Sequence, residues 1–270
     1  MMENNAFSGV VIVNKPVGPT SVRSLDLLRE QFPEFRNLPL CIAGRLDPMA
    51  EGVLPVLVGE ARFQAKEYYQ HDKVYEFQLA LGLSSDTFDA LGVIERGSNT
   101  LVQQAEVGRV LKLFFGDHSH PYPPYSSRTI NGKPLFQYAR EGKLESVTLP
   151  APARRIYSGD ILAMRSVSLQ EIVSRMRRRI TLVAGDFRQD RAVQSWENLL
   201  SETPNEQLQV VRIRLYTGPG VYIRGLTQSI GQLLGTKAIT LTIQRTQVSH
   251  WNLENAYHLA RDPDIFWEIT

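Results

Sequence analysis

The order of apolar patterns predicts an α+β fold built on a central mixed, largely antiparallel sheet flanked by helices. Three observations carry this. Strand-like runs recur along the whole chain, most are joined by short Pro-, Gly- or Asn-containing turns, and only a few helical crossovers intervene. A doubly wound parallel sheet would need a helix after nearly every strand. No G-x-G-x-x-G follows the first strand and no P-loop occurs, so nucleotide cofactors lose weight.

GVVIVNKP, residues 9 to 16, is a β-branched run closed by Asn-Lys-Pro and reads as a strand ending in a turn. In TSVRSLDLLREQF, Thr20 or Ser21 can cap a helix whose Val22, Leu25, Leu28 and Phe32 fall near helical spacing. VLPVLVGEAR holds a short buried strand, ARFQAKEYYQ looks helical, and KVYEFQLALG, residues 73 to 82, alternates as a strand. Residues 117 to 134 contain four prolines and an Asn-Gly signal, which predict an irregular excursion or hairpin; 135 to 142 read as a short helix. From about 168 to 206 the pattern becomes helical and basic, as an inserted segment would. QLQVVRIRLY, residues 207 to 216, is a strand, TGPG turns the chain, and VYIRGLTQSIGQLLG is a helix stopped by Gly235. AITLTIQRTQVSHW returns as a strand. No internal repeat or low-complexity stretch is evident.

A chain of 270 residues, 43% hydrophobic, can bury a sizeable core. Its 30 Lys+Arg against 28 Asp+Glu are too balanced for net charge to announce nucleic acid, so any basic surface must come from local clustering. The single cysteine, Cys41, excludes an internal disulfide framework and a multi-cysteine zinc site, and fits a reducing cytoplasm. The opening MMENNAFSGVVIV lacks a signal-peptide pattern, and no run approaches the length of a membrane span. The expectation is a soluble cytoplasmic protein.

Three distant stretches place polar residues where a core would prefer none: AGRLDP around Asp47, DKVYEF around Tyr75, and GPGVYIRGL around Tyr222 and Arg224. Asp47 before a proline reads either as a turn or capping residue or as a carboxylate with a task. Tyr75 reads either as a packed strand residue or as part of a site. Arg224 sits just inside a helix start, where the dipole is already positive, so it wants a carboxylate partner. Asp47 is the candidate, since a nearby guanidinium would hold a partly buried acid ionised.

Asp86 and Asp89 in SDTFDALG read as a polar turn or as metal ligands, but no third or fourth ligand is suggested nearby. His118 and His120 are solvated loop residues or phosphate contacts. RMRRR, residues 175 to 179, beside Arg154, Arg155, Arg188 and Arg191, is a solvated helix face or a phosphate-contacting patch.

Taken in order, VIVNKPVGPTS, GRLDPMAEGVLPVLVGEARF, HDKVYEFQLALGLSSDTFDALG, PPYSSRTINGKPLFQYAREG, and GVYIRGLTQSIGQLLG followed by TIQRTQVSHW resemble the motifs of the TruB family of tRNA pseudouridine synthases. They cover nearly all the chain outside residues 168 to 206. The resemblance implies an isomerase that flips a T-arm uridine, position 55, out of tRNA and converts it to pseudouridine without a cofactor or metal.

It implies a single catalytic domain over 1–270 with a thumb-like RNA-binding insertion at about 117–146, to which the residue pattern adds a basic helical insertion at about 168–206. Asp47 becomes the catalytic carboxylate, Tyr75 the phenol stacked on the base, and Arg224 the partner of the aspartate. Tyr222 and Ile243 become walls of the pocket; Arg45, beside Asp47, is expected at the substrate, and Lys15, near the first turn, either touches the substrate or supports the loop. Arg128 and Lys133 become RNA contacts; Arg175 and Arg178, outside the resemblance, are expected as RNA contacts from the basic character of their segment. The partner is the tRNA T stem-loop, with no membrane role, and the protein is expected to act as a monomer.

Three departures from the family pattern stand out. Ile42 and Ala43 occupy the places of a His-Thr pair whose histidine helps displace the base, and Arg45 precedes Leu46, wording closer to ribosomal-RNA pseudouridine synthases. The residues up to Thr270 leave too little room for a C-terminal PUA domain. Residues 168 to 206 match no family motif; a basic segment there suggests an RNA grip in place of that domain. The competing readings are a pseudouridine synthase for another RNA, such as rRNA, and a non-catalytic RNA-binding or RNA-folding factor on the same scaffold.

Overall fold

The structure is a computed structural model of the chain and describes residues 7–98, 100–119 and 122–259. β1 (Gly9–Lys15) leads to α1 (Ser21–Gln31), whose N-cap Thr20 accepts from the Arg23 amide at 3.1 Å. The buried face of α1 is Ser21, Ser24, Leu25 and Leu28, with Val22 turned outward. β2 (Leu40–Ile42) and β3 (Ala50–Val58) follow, then a 3-10 stretch over Gly59–Gln64 and the short α2 (Ala65–Tyr69). The single helix expected over residues 61 to 70 is thus only half α-helical.

β4 (Lys73–Leu81), the small ribbon of β5 (Leu83–Ser85) and β6 (Ile94–Arg96), and α3 (Gln104–Lys112) lead to β7 (Gly116–Ser119). The Pro-rich stretch ends in the hairpin of β8 (Thr129–Ile130) and β9 (Lys133–Pro134). Its central Asn131 and Gly132 both have positive φ, 49° and 80°, as a type I′ turn requires. After α4 (Leu135–Arg140) comes β10 (Ala153–Ser168), a 16-residue strand that the sequence pattern does not reveal. Half of it is exposed and two register shifts interrupt it, at Ile156/Ser158 and Ile161/Ala163, so no clean alternation survives.

α5 (Leu169–Thr181) and α6 (Gln189–Glu202) precede β11 (Gln207–Thr217), α7 (Ile223–Leu233), β12 (Ala238–Val248) and β13 (Tyr257–His258). α7 stops as the glycine predicts. Gly235, at φ 71°, donates to Gln232 O while the Thr236 amide reaches back to Gly231 O, the two bonds of a Schellman end.

Among the described residues, nine strands form one sheet in the order β13-β1-β3-β12-β4-β11-β10-β7, with β2 on β3. Only β1–β13 and β3–β12 are parallel, so the sheet is mixed and largely antiparallel. One face carries Tyr75, Phe77, Leu79, Val211, Ile213 and Leu215, packed under Leu226 and Ile230 of α7 and Val107 and Leu111 of α3. On the opposite face Ala80, Val210, Ile239 and Leu241 meet α5 and α6 through Ile172, Met176, Ile180 and Trp196. The two helices read as an insertion therefore complete the core rather than decorate it.

One irregularity matters for the site. β12 is bulged between Thr240 and Thr242, two residues that oppose the consecutive Leu79 and Gln78 across an extra Leu241. A bulge reverses the alternation. Ile239 and Leu241 face α5 and α6, whereas Ile243 pairs with Phe77 and faces the other side, towards Tyr75 and Leu46.

Candidate active site

Asp47 lies on the loop between β2 and β3, which other elements pin at several points. Leu46 is held through both its backbone groups by Ser21 Oγ, which accepts from the amide at 2.8 Å and donates to the carbonyl at 2.9 Å. The Gly18 amide donates to Pro48 O at 2.9 Å, and Ala50 N closes the turn on Asp47 O at 3.0 Å. Arg245, reaching from β12, donates to Gly44 O at 2.9 Å and Val53 O at 2.7 Å. The carboxylate is therefore presented from a fixed backbone, with 38% of its side chain exposed.

Arg224, the second residue of α7, is only 3% exposed. A buried cation at a helix N-terminus needs several acceptors, and it has them. Its Nε donates to Asp47 Oδ2 at 2.8 Å, Nη1 to Thr87 O at 2.8 Å and Nη2 to Tyr125 O at 3.3 Å. Asp89 Oδ2 lies 3.6 Å from the same Nε. Burial alone would lower the guanidinium pKa, but Asp47 and then Asp89 more than offset it, and the group is held charged.

Asp89, read from the sequence as a turn acid or a metal ligand, is brought by the fold to Arg224 as its other acidic contact. Its Oδ1 accepts from Thr87 Oγ1 at 2.7 Å and from the Leu91 amide at 3.0 Å, so the polar turn is real. The free oxygen is what the turn delivers to Arg224. Burial raises the Asp89 pKa, against the opposing pull of Arg224. Nothing in SDTFDALG alone signals this; only an arginine from α7 does. Asp86, the other acid of the turn, accepts from the Val93 amide at 2.8 Å and pairs with Arg188 at 2.7 Å.

Beside the Asp47–Arg224 pair opens a cavity of about 440 Å³, within the ~300–1,000 Å³ usual for ligand sites. Tyr75, Tyr222, Tyr122 and Ile243 line it, with Leu46 and Ala50 below and Arg45, Arg128, Arg154, Tyr69 and Lys73 around it. Tyr122 meets Tyr222 edge-on at 5.3 Å and 80°. Burial, and then Asp47, raise the Tyr222 phenol above its ordinary pKa, so it stays neutral. Ser126 also lines the cavity; it is 2% exposed and its Oγ has no hydrogen-bond partner among the described residues. A buried hydroxyl without a partner is costly unless a ligand supplies one.

Of the residues the sequence singles out, Asp47, Tyr75, Arg224, Tyr222, Ile243, Arg45 and Arg128 converge on this cavity. Lys15 does not. Its side chain is 0% exposed, and Nζ donates to Pro16 O at 2.8 Å and Ala50 O at 2.7 Å, so it supports the loop from within. Burial lowers its pKa to about 7, against the opposing pull of Glu51 and Asp47.

Lys73 at the cavity wall is lowered to about 8, mainly by burial and then by Arg245. Lys133 lies away on the hairpin, paired with Glu141 and over the Tyr138 ring. Arg175 and Arg178 lie on α5 and do not line the cavity; Arg175 pairs with Glu171 at 3.4 Å. Within RMRRR, Arg179 faces inward and is 1% exposed, so that stretch is not one solvated patch. Ile42 is buried among Leu28, Phe35 and Val56. His118 binds its own loop at Phe115 O, and His120 lies outside the described residues.

Comparison with known proteins gives the family. The family described as "TruB family pseudouridylate synthase (N terminal domain)" matches residues 40–178, from the start of β2 into α5. The chain belongs to the TruB family. It is 30% identical over 264 residues to a tRNA pseudouridine synthase B of Francisella tularensis, covering 97% of this chain and 72% of that protein.

A second TruB relative, tRNA pseudouridine synthase B of Oleidesulfovibrio alaskensis, is 29% identical over 93% of this chain and 66% of its own length. For that of Dechloromonas aromatica the identity is 35% over 58% of this chain, and 53% of the relative is spanned. The chain thus covers between about half and two thirds of these last two.

The TruB fold is shared with a chain of a Cbf5–Nop10–Gar1 crystal structure, at a TM-score of 0.58 and 20% identity over 94% of this chain and 53% of that one. Within the TruB chain described here, the match to the family model reaches into α5, so the segment read as foreign begins inside family territory.

Proposed function

We propose that this protein isomerises uridine to pseudouridine in the T arm of tRNA, at position 55, with Asp47 as the catalytic carboxylate. The observation that carries the reading is the buried Arg224 held between Asp47 and Asp89 at the edge of an aromatic-lined cavity. A pure RNA-binding factor has no need of such a constellation. The names of the curated relatives support tRNA as the substrate class.

The chemistry explains the residue types. The N1–C1′ bond breaks, the uracil turns, and a C5–C1′ bond forms; the C5 proton leaves and N1 ends protonated. No atoms are lost on balance and no oxidation state changes, so the reaction calls for no cofactor. Asp47 acts as nucleophile or base at the sugar, and Arg224 keeps it oriented. Extruding the base costs a few kcal/mol, which stacking on Tyr75 and phosphate contacts from Arg45, Arg128 and Arg154 offset. Tyr222 forms the wall and Ile243 an apolar floor that lets the detached base turn without being locked by hydrogen bonds. Ser126 Oγ gains its missing partner from a uracil carbonyl.

Among the described residues no helix is long and apolar enough to cross a membrane. On this reading the protein acts as a monomer on a T stem-loop in the cytoplasm.

A second reading, pseudouridylation of another RNA such as rRNA, is favoured by the burial of Ile42 where the family pattern has histidine and by Arg45 standing exposed beside the cavity. Incubating unmodified tRNA and rRNA transcripts with wild type and Asp47→Ala, then mapping pseudouridine chemically, separates the two. T-arm product dependent on Asp47 supports the first. Product confined to rRNA supports the second, and tight binding without product from wild type leaves a binding factor.

A further inference from the structure

The two helices between β10 and β11 occupy an unusual place. The strands are registered up to the pair Ser168 and Gln207, where a short turn would close the hairpin. Residues 169 to 206 leave the sheet at that point and return to it. What they touch on the way is the back of the active site.

From α5, Arg179 is buried and donates Nη2 to Met49 O at 3.1 Å, with Glu51 Oε1 3.3 Å from the same nitrogen. Met49 and Glu51 directly follow the Asp47 turn. Beyond the helix end, the Ala184 amide donates to Gly18 O at 3.2 Å, while Gly18 N holds Pro48 O. Gly18 has φ +112°, and a Cβ there would fall 2.5 Å from Leu182 O, so the two segments are in direct contact.

From α6, Trp196 Nε1 donates to Ala90 O at 2.9 Å, next to Asp89. Arg188, preceding α6, pairs with Asp86 and lies over the Tyr125 ring at 4.5 Å; Tyr125 O is itself an acceptor of Arg224. Meanwhile Glu171 and Glu197 partner Arg175 and Arg177 on the outer surface, which weakens that surface as a site for phosphate.

We propose that the α5–α6 pair is a brace for the reacting carboxylate. Arg179 fixes the 47–51 segment and Trp196 with Arg188 fixes the 86–90 turn, so that Asp47 and Asp89 keep their spacing about Arg224. Arg179 is a positioning residue, acting through Met49 and Glu51 and touching no substrate. The inference rests on the reading of Asp47 as catalytic.

The test compares wild type, Arg179→Met, Arg179→Lys and the double variant Arg179→Met/Glu51→Met, which leaves no unpaired buried carboxylate. Steady-state pseudouridine formation on a T-arm transcript is read beside transcript affinity and its salt dependence, thermal midpoint, and amide exchange at Gly18 and Ala50. Arg179→Met is expected to lower kcat about 10- to 100-fold with KM and affinity within about twofold, because a small misplacement of a reacting group costs rate rather than binding. Arg179→Lys recovers part of the rate. The double variant recovers the thermal midpoint but not kcat, since Met49 O still lacks its donor.

A wild-type rate in either Met variant overturns the brace, as does a fall in rate matched by lost affinity and a shallower salt slope, which would make the helices an RNA grip. Exchange needs no turnover: faster exchange at Gly18 and Ala50 in Arg179→Met supports the brace and unchanged exchange overturns it, even if wild type makes no Asp47-dependent product and the functional reading itself fails.

Discussion

At Arg224 one guanidinium faces two carboxylates that differ in burial. Asp47 reaches solvent and the cavity, while Asp89 is enclosed and tied to Thr87 and Leu91. Removing Asp89 leaves the arginine free to lean towards Asp47. Asp89→Asn is expected to lower the rate of pseudouridine formation about tenfold or more, with RNA affinity unchanged; a single-turnover assay checks it, and a wild-type rate contradicts it.

Lys15 makes a second prediction at this scale. Its pKa is about 7 in the fold, surrounded by Glu51, Asp47, Arg179 and Arg245, against an ordinary 10.5. Between those pH values the unfolded chain binds a proton that the folded chain lacks, so this group makes stability rise with pH. The slope from this one group reaches up to about 1.4 kcal/mol per pH unit. Lys15→Met removes that contribution. Urea unfolding from pH 7 to 10 should show a steeper rise in wild type than in the variant, and equal slopes contradict the assignment.

Elements turned local patterns into a site, and two features decide how well. The bulge in β12 turns Ile243 to the cavity, and Gly52, at φ +108°, lets β3 pass Arg245 where a Cβ would sit 2.2 Å from its carbonyl. Gly52→Ala is therefore expected to destabilise the fold by several kcal/mol, because both positive φ and a backbone clash oppose it. Chemical denaturation measures this; a loss under about 1 kcal/mol would contradict it. The same scale shows what was legible in the sequence. β1, β4, β11, α7 and the Asn131-Gly132 hairpin carry their own periodicity or turn chemistry. β10 does not, because bulges and exposure erase the alternation, and the helices after it looked basic because Arg179, whose partner Glu51 comes from β3, reads in sequence like its exposed neighbours.

Across the whole molecule, the sheet assembles residues from four distant stretches. Asp47, Tyr75, Tyr222 and Arg224 were each legible as polar oddities, whereas Ile243 and the convergence of the set followed from family resemblance rather than from local pattern. Ser126 was not legible as a site residue, and the contact of Asp89 with Arg224 was not either, since each is defined by a partner, or by the lack of one, that only the fold supplies; Arg154 was legible as a possible phosphate contact but not as part of this cavity. The functional claim that follows is that Asp47, oriented by Arg224, isomerises a uridine of the tRNA T arm. Forming the C5–C1′ bond must expel the C5 hydrogen, so tritium released from a T-arm transcript labelled at uridine C5 reports the step directly. Wild type should release one tritium per modified site, and Asp47→Asn should release none above background while binding the transcript as well. Release by Asp47→Asn at a rate near wild type, or none by wild type, would contradict the account.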